Sequence, residues 1–192
     1  MSQLVKQIKP IFEKVIEPVI HMFHKLNISP NVLTVLGLVI TFFAFYLIVL
    51  GHFFSAGIVL TLGSIFDIFD GALARKFDKK SKFGAFLDSV VDRYSDFLPL
   101  AGIAFVFKDE PFVFFASLFT IAGSFLVSYT RARAEGLGIE CNVGFFERPE
   151  RLIILIAGLL TGFVETAVVI LLIGSHLTAF QRIYHVYKVT KD

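Results

Sequence analysis

Two carboxylates interrupt an apolar segment in the stretch Asp67-Ile68-Phe69-Asp70-Gly71-Ala72-Leu73-Ala74-Arg75. Two more do so in Phe86-Leu87-Asp88-Ser89-Val90-Val91-Asp92, which follows after a short basic connection. The surrounding apolar residues predict two helices, one from Phe54 to about Lys76 and one over Phe83–Phe107, each long enough to cross a bilayer. Because a carboxylate at membrane depth costs about 3 kcal/mol, these charges indicate a functional site on two membrane helices.

The spacing of these aspartates predicts that they face one another. Asp67 and Asp70 are three residues apart, and Asp88 and Asp92 are four apart, so each pair shares one face of its helix. The short connection makes the two helices antiparallel neighbours. Four convergent carboxylates repel one another unless a cation neutralises them, and hard divalent ions prefer oxygen ligands. We therefore predict a site for two Mg²⁺ or Mn²⁺ ions, an arrangement that is found in phosphoryl-transfer sites.

Small and basic residues accompany the four acidic ones. The small residues are Gly71, Ala74 and Gly84. They allow close approach of helix backbones, and they leave room for a flat ring such as a nucleobase. Arg75 lies one turn beyond Gly71, where a guanidinium suits a phosphate.

Two other aspartates, Asp78 and Asp96, are not among the predicted metal ligands. Asp78 is interpreted as an ordinary loop residue beside basic neighbours. Asp96 lies one turn beyond Asp92, and it is expected either behind the metal ligands or as a partner for Arg93.

The composition indicates a lipid-facing protein. Of its 192 residues, 56% are hydrophobic and 18% are charged, whereas soluble domains are about half apolar and about a quarter charged. The length suits a single domain over residues 1–192. A net charge of +2 is too small to indicate a nucleic-acid partner. Cys141 is the only cysteine, which excludes an intrachain disulfide and a thiolate metal cage.

The apolar runs predict an all-α integral membrane bundle of six transmembrane helices over residues 29–190. Besides the two acidic helices, these runs are Val32–Leu50, Pro111–Tyr129 and Leu152–Phe180. The last run is long enough for a hairpin broken near Gly162–Glu165. Ahead of the bundle, residues 1–28 mix lysines with apolar residues at helical spacing, which predicts an amphipathic helix in the membrane interface.

Basic residues in the connections predict which side faces the cytoplasm. Both termini are basic, as are the connections between the second and third helices and between the fourth and fifth. The connections on the opposite side carry almost no Lys or Arg. The positive-inside rule therefore predicts a multi-pass protein of the cell membrane with its active site facing the cytoplasm.

The whole pattern Asp67-x2-Asp70-Gly71-x2-Ala74-Arg75-x8-Gly84-x3-Asp88-x3-Asp92 resembles the signature of the CDP-alcohol phosphatidyltransferases, with every position filled. The resemblance implies that Asp67, Asp70 and Asp88 bind metal. It implies that Asp92 touches the second metal ion and acts as the general base. Members of the family are homodimers, which implies a homodimer here.

The resemblance also implies contacts to the nucleotide of the CDP-lipid donor. The implied residues are Asn31, Val32, Leu33, Thr34, Gly71, Arg75 and Ser81. Taken alone, the segment Ser29-Pro30-Asn31 has two interpretations. It is either a helix start whose unpaired N–H groups receive a polar ligand, or a plain helix cap.

The implied reaction is a single displacement on a CDP-activated lipid. Asp92 removes a proton from the acceptor hydroxyl, the oxygen attacks the β-phosphorus, and CMP leaves. Positioning and charge stabilisation would supply most of the catalysis.

Arginines near the connection between the fourth and fifth helices and on the sixth helix predict a phosphorylated polyol as acceptor. They are Arg131, Arg133, Arg151 and Arg182. Any one of them could merely follow the positive-inside rule, whereas together they could form a cationic pocket beside the metal site, since guanidinium groups suit phosphate. The segments Ser128–Glu135 and Glu147–Arg151 resemble the prokaryotic phosphatidylinositol phosphate synthases and their archaetidylinositol phosphate counterparts. That resemblance implies that these arginines hold the phosphate of inositol 1-phosphate.

Three alternative functions are kept. Glycerol 3-phosphate is the chief alternative acceptor, because it too carries a phosphate. An ion or proton transporter could use the aspartates as a relay, but all four lie near one surface with no matching acids across the membrane. A catalytically silent scaffold would not need every signature residue. Diacylglycerol and archaeol tails are equally compatible with the sequence.

Overall fold

The computed structural model describes residues 16–191, and helices account for most of them. A first helical segment, α1, occupies residues 16–25. It is followed by α2 (Pro30–Val49), α3 (Phe53–Lys76), α4 (Lys82–Val106), α5 (Pro111–Glu135), α6 (Arg148–Thr161) and α7 (Val164–Thr190). Residues 16–191 contain no β-strand, so the predicted all-α class is confirmed.

Proline and glycine mark the helix ends near the predicted positions. Pro111 opens α5 and Pro149 lies in the first turn of α6, where a proline removes no helical hydrogen bond. Gly162 follows α6 at a φ of 81°, a left-handed conformation that glycine adopts without steric cost. The predicted hairpin therefore breaks where expected.

Four of the helices, α2, α3, α5 and α7, are long and apolar enough to cross a membrane. Helix α4 has 25 residues, but its charged side chains include Asp88, Asp92, Arg93 and Asp96. Helix α6 has only 14 residues, which is shorter than a bilayer requires. Many large apolar side chains of the long helices are exposed, among them Phe42, Phe112 and Phe119, as expected for surfaces in contact with lipid.

The chain forms two compact units. The first comprises residues up to Phe42 together with Val59–Ser95. In it, Ile16 and Ile20 of α1 pack into a core with Leu33, Ala72 and Leu73. The predicted amphipathic helix of residues 1–28 lies largely outside the described residues. Its residues 16–25 are helical, and Glu17 pairs with Lys76 at the end of α3.

Helices α2 and α3 approach closely within this first unit. A methyl group built on Gly63 would lie 3.1 Å from Oγ1 of Thr41 and 3.3 Å from the carbonyl oxygen of Gly37. Side chains larger than glycine at this crossing would push the helices apart. The two glycines therefore fix how α2 lies against α3.

The second unit comprises Phe43–Ile58 together with residues from Asp96 onward. Here α7 packs against α5 and α6. Small and hydroxylated residues line the contact between α5 and α7. The hydroxyls of Ser117, Thr120 and Ser175 donate to the carbonyls of Val113, Ala116 and Leu171 on their own helices. These three hydroxyls are thus buried with their donors satisfied, and the small residues let the backbones come close.

Candidate active site

Three of the four predicted metal ligands converge in the first unit. Asp67 and Asp70 on α3 and Asp88 on α4 each offer a carboxylate oxygen, and these oxygens lie within 4.8 Å of one another. Asp70 is buried, and the other two are half-buried. Oxygen ligands surround Mg²⁺ at about 2.0–2.1 Å and Ca²⁺ at about 2.3–2.6 Å. The donor chemistry and spacing therefore fit a divalent cation.

A hydroxyl on α2 supports this group. Oγ1 of Thr34 donates a hydrogen bond to Oδ2 of Asp70 at 2.5 Å, and both residues are 5% exposed. Because the hydroxyl of Thr34 binds Oδ2 of Asp70 from a fixed direction, it also fixes the position of Oδ1, the second oxygen of that carboxylate. Helix α2 therefore contributes to the site through Thr34.

The fourth predicted ligand, Asp92, is not part of the three-carboxylate group. It follows Asp88 by one helical turn, its side chain is 19% exposed, and its Oδ2 lies 4.0 Å from Nη1 of Arg93. Arg93 also donates to the carbonyl of Ser89. Asp92 thus lies on the same helical face as Asp88, in a separate and partly accessible position.

Two of the predicted nucleotide contacts meet at the start of α4. A methyl group built on Gly84 would lie 3.0 Å from Oδ1 of Asn31 and 2.9 Å from Oγ of Ser81. Ser81 also caps α4, because its Oγ accepts a hydrogen bond from the amide of Gly84 at 2.9 Å. Gly84 therefore allows Asn31 and Ser81 to approach closely, and a larger side chain there would displace them.

The other predicted nucleotide contacts differ in accessibility. The guanidinium of Arg75 lies over Gly71, with Nη1 3.0 Å from the position of an added methyl group. Val32 is exposed, whereas the side chain of Leu33 is fully buried in the core. Oγ of Ser29 accepts a hydrogen bond from the amide of Val32 at 3.3 Å, so Ser29 caps the start of α2. The burial of its side chain leaves Leu33 only backbone atoms to offer a ligand.

Two of the predicted acceptor-binding arginines meet at one carboxylate in the second unit. Nη1 of Arg131 and Nη2 of Arg182 lie 3.8 and 3.6 Å from the same Oε1 of Glu147. Arg131 also donates from Nε to Glu135 at 2.9 Å and from Nη2 to Asn142 at 3.2 Å. Its side chain is 42% exposed, so a ligand can reach it.

Arg182 is held more tightly. It is 2% exposed, and it donates from Nε to the carbonyl of Val143 at 2.9 Å and from Nη1 to the carbonyl of Val127 at 2.5 Å. Its Nη2 lies at ion-pair distance from Glu147 instead of within hydrogen-bond distance. Arg182 therefore ties α7 to α5 and to the connection between α5 and α6.

Arg151 also lies beside the segment that carries Glu147, whereas Arg133 makes no contact of this kind among residues 16–191. Arg151 is 4% exposed, and its Nη1 donates to the carbonyl of Phe146 at 3.2 Å, next to Glu147. Arg133 is exposed on α5, and no hydrogen bond or ion pair joins its side chain to the part of the chain that the structure describes.

Sequence reasoning missed Glu147 and assigned Asp96 differently. Glu147 directly precedes Arg148 at the start of α6, and an acid next to these arginines was a signal for its ion pairs. Asp96 was expected behind the metal ligands or beside Arg93. It pairs instead with Arg151 at 2.6 Å and faces Arg148 at 3.7 Å. Both partners are more than fifty residues away in the chain, which helical spacing cannot reveal.

Comparisons with known proteins converge on one family. A family model described as CDP-alcohol phosphatidyltransferase matches residues 27–181. The archaetidylinositol phosphate synthase of Pyrococcus horikoshii is 40% identical over 189 residues, which covers 96% of this chain and 97% of the relative.

Solved structures extend the likeness to the backbone. Mycobacterium tuberculosis phosphatidylinositol phosphate synthase with CDP-DAG bound matches with a TM-score of 0.85 and 29% identity, covering 91% of this chain and 94% of that one. The same enzyme in complex with manganese and citrate matches with a TM-score of 0.82 and 32% identity, covering 88% of each chain.

Proposed function

The chain belongs to the CDP-alcohol phosphatidyltransferase family, and we propose that it transfers a phosphatidyl or archaetidyl group from a CDP-activated lipid to inositol 1-phosphate. The products are CMP and the corresponding phosphatidylinositol phosphate lipid. One observation carries the proposal: carboxylate oxygens of the signature residues Asp67, Asp70 and Asp88 lie within 4.8 Å of one another. The inositol phosphate acceptor is supported by the relatives named for that product.

Asp67, Asp70 and Asp88 are the proposed ligands of a divalent cation, and Asp92 is the proposed contact to a second one. A manganese-bound relative supports the choice of Mn²⁺ or Mg²⁺. When bound, such ions supply positive charge that neutralises a diphosphate and its leaving group. Thr34 holds Asp70 in one orientation through its hydrogen bond.

Asp92 is the proposed general base. Its carboxylate takes the proton of the acceptor hydroxyl, the hydroxyl oxygen forms a bond to the β-phosphorus of the CDP-lipid, and the bond from that phosphorus to CMP breaks. The partial exposure of Asp92 supports this role, because a base must be reachable by the incoming hydroxyl.

The donor nucleotide is proposed to contact residues of α2, α3 and the start of α4. They are Asn31, Val32, Leu33, Thr34, Gly71, Arg75 and Ser81. Asn31 and Ser81 approach each other closely at Gly84, which supports a contact of both residues with one ligand. Leu33 would contribute its backbone alone, since its side chain lies in the core.

The acceptor phosphate is proposed to bind Arg131, Arg151 and Arg182, with Arg133 as an outer contact. Guanidinium groups match the geometry of phosphate oxygens. Glu147 lies against Arg131 and Arg182, and its carboxylate can accept hydrogen bonds from hydroxyls of a polyol held by those arginines.

The architecture proposed for the membrane is a single domain over residues 1–192 with six spans. Helices α4 and α6 would complete the four apolar helices, although the 14 residues of α6 are fewer than a span usually needs, and the interfacial helix would precede them. Both termini and the active site would face the cytoplasm, as the basic connections indicate. A homodimer is proposed from the family resemblance.

The acceptor is tested by offering the purified protein CDP-lipid and Mn²⁺ with inositol 1-phosphate, glycerol 3-phosphate, inositol or serine, and measuring CMP. We expect release with inositol 1-phosphate, little with the unphosphorylated acceptors, and none after chelation. Asp92→Asn should lower kcat about 10²–10⁴-fold, the usual contribution of a general base.

The matched control is Asp78→Asn, which changes an exposed loop carboxylate at a φ of 51°, a conformation that asparagine tolerates. Its activity should equal that of the wild type. Faster release with glycerol 3-phosphate would reassign the acceptor, and full turnover by Asp92→Asn would overturn the base assignment.

A further inference from the structure

Asp96 lies on α4, one helical turn after Asp92, and has a different environment. Its Oδ2 accepts a hydrogen bond from Nη2 of Arg151 at 2.6 Å, and its Oδ1 lies 3.7 Å from Nε of Arg148. The side chain of Asp96 is 13% exposed and that of Arg151 is 5% exposed. A single carboxylate thus holds two arginines in the first turns of α6.

The short contact decides where the guanidinium of Arg151 points. Nη2 is bound by Asp96 and Nη1 by the carbonyl of Phe146. Nε is buried and has no hydrogen-bond partner among residues 16–191. A buried donor without a partner is costly, and a phosphate oxygen is the kind of acceptor that would satisfy it.

A charged pair at this depth is weak evidence for stability alone. Removing two charges from water can cost as much free energy as their mutual attraction returns, and well-packed apolar residues often stabilise a fold equally well. The short, directional contact between Asp96 and Arg151 is better explained by a need to present the remaining donor of Arg151 in one direction.

We propose that Asp96 is a positioning residue for acceptor recognition: it fixes Arg151, and with it the start of α6, so that Arg151 binds the phosphate of the acceptor. This inference rests on the proposed function, in which Arg151 contacts that phosphate. Asp96 itself touches neither the phosphate nor the reacting atoms.

The test is the kinetics of Asp96→Asn with both substrates varied. The variant keeps the size of the side chain and loses its charge. We expect the KM for inositol 1-phosphate to rise about tenfold, as a charged hydrogen bond is typically strong enough to cause. The KM for CDP-lipid should stay at the wild-type value. An equal rise in both KM values, or a lower unfolding temperature with both KM values unchanged, would show a merely structural role.

Two further variants separate positioning from folding. Asp96→Glu keeps the charge and moves the carboxylate by one methylene, so the acceptor KM should still rise, and this variant decides the question if Asp96→Asn does not purify as folded protein. Arg151→Lys should raise the acceptor KM in the wild type and add little in Asp96→Asn, because both changes remove one arrangement. Fully additive effects would contradict the proposal.

The control is Glu17→Gln, which removes another ion-paired carboxylate, the partner of Lys76. It should leave the acceptor KM unchanged. If the wild type releases CMP with none of the acceptors, the proposed function is wrong, and the role of Asp96 is then tested separately. Calorimetric binding of inorganic phosphate then tests the inference: Asp96→Asn should bind it about tenfold more weakly, and equal affinity would reject the role of Asp96.

Discussion

Thr34 and Asp70 show how one hydroxyl can prepare a metal ligand. The two side chains come from α2 and α3, and both are buried. A carboxylate that accepts a hydrogen bond from a fixed direction keeps its other oxygen in one place. Groups that orient metal ligands in this way commonly affect metal affinity or activity about 10–100-fold.

Thr34→Val should therefore raise the Mn²⁺ concentration for half-maximal activity by about tenfold or more. Valine keeps the shape of threonine and removes only the donor. Direct Mn²⁺ binding, measured by calorimetry without lipid substrate, should weaken in parallel. Thr34→Ser keeps the hydroxyl and serves as the control, with wild-type Mn²⁺ dependence. Unchanged Mn²⁺ affinity in Thr34→Val would show that the hydrogen bond does not orient a ligand.

At the scale of helices, the crossing of α2 and α3 sets the distance between Thr34 and Asp70. Gly37 and Gly63 meet at that crossing, with almost no space for a side chain. Gly63, one helical turn before Asp67 and two before Asp70, therefore governs whether the hydroxyl reaches its carboxylate.

Gly63→Leu should separate the two helices and lower the unfolding free energy by about 1–3 kcal/mol, the usual cost of overpacking. Thermal unfolding in detergent would measure the loss, and Mn²⁺ activation should weaken with it. The control is Leu62→Phe, which adds volume at a neighbouring position that is 50% exposed. Equal stability of Gly63→Leu and wild type would contradict the close crossing.

The helix bounds could be predicted because their signals are local. Apolar runs, Pro111 and Gly162 define α5, α6 and α7 without reference to distant residues. The convergence of Asp67, Asp70 and Asp88 was also predictable, since a short connection leaves α3 and α4 little choice of neighbour. The pairing of Asp96 with Arg151 was not, because it depends on how helices distant in the chain pack together.

At the scale of the whole molecule, α4 presents the main question of membrane topology. It has 25 residues, enough to span a bilayer, but it carries four charged side chains along the predicted active-site region. Charges within a membrane helix are tolerated where they face a cation, a partner or water. The ion pair of Asp96 and the proposed metal site meet that condition.

A spanning α4 should expose its two flanking connections on opposite sides of the membrane. Lys80 precedes the helix and Asp109 follows it, and both are exposed. In a Cys141→Ala background, Lys80→Cys should react with an impermeant maleimide only in inside-out vesicles, and Asp109→Cys only in right-side-out vesicles. Wild-type Cys141 is fully buried, so its own labelling should be low. Labelling of both positions from one side would reject the span.

The connection between α5 and α6 has a consequence for the thermodynamics of acceptor binding. Three residues of α7 hold this connection. Arg182 donates a hydrogen bond to the carbonyl of Val143, and Oγ1 of Thr178 accepts one from the amide of Phe146 at 3.1 Å. A ring nitrogen of His185 lies 3.0 Å from the carbonyl oxygen of Glu140. This segment is preorganised, so an incoming acceptor has little backbone to order. Binding of the acceptor therefore costs little conformational entropy in this segment. A larger part of the attraction between guanidinium and phosphate is then left to contribute to the binding affinity.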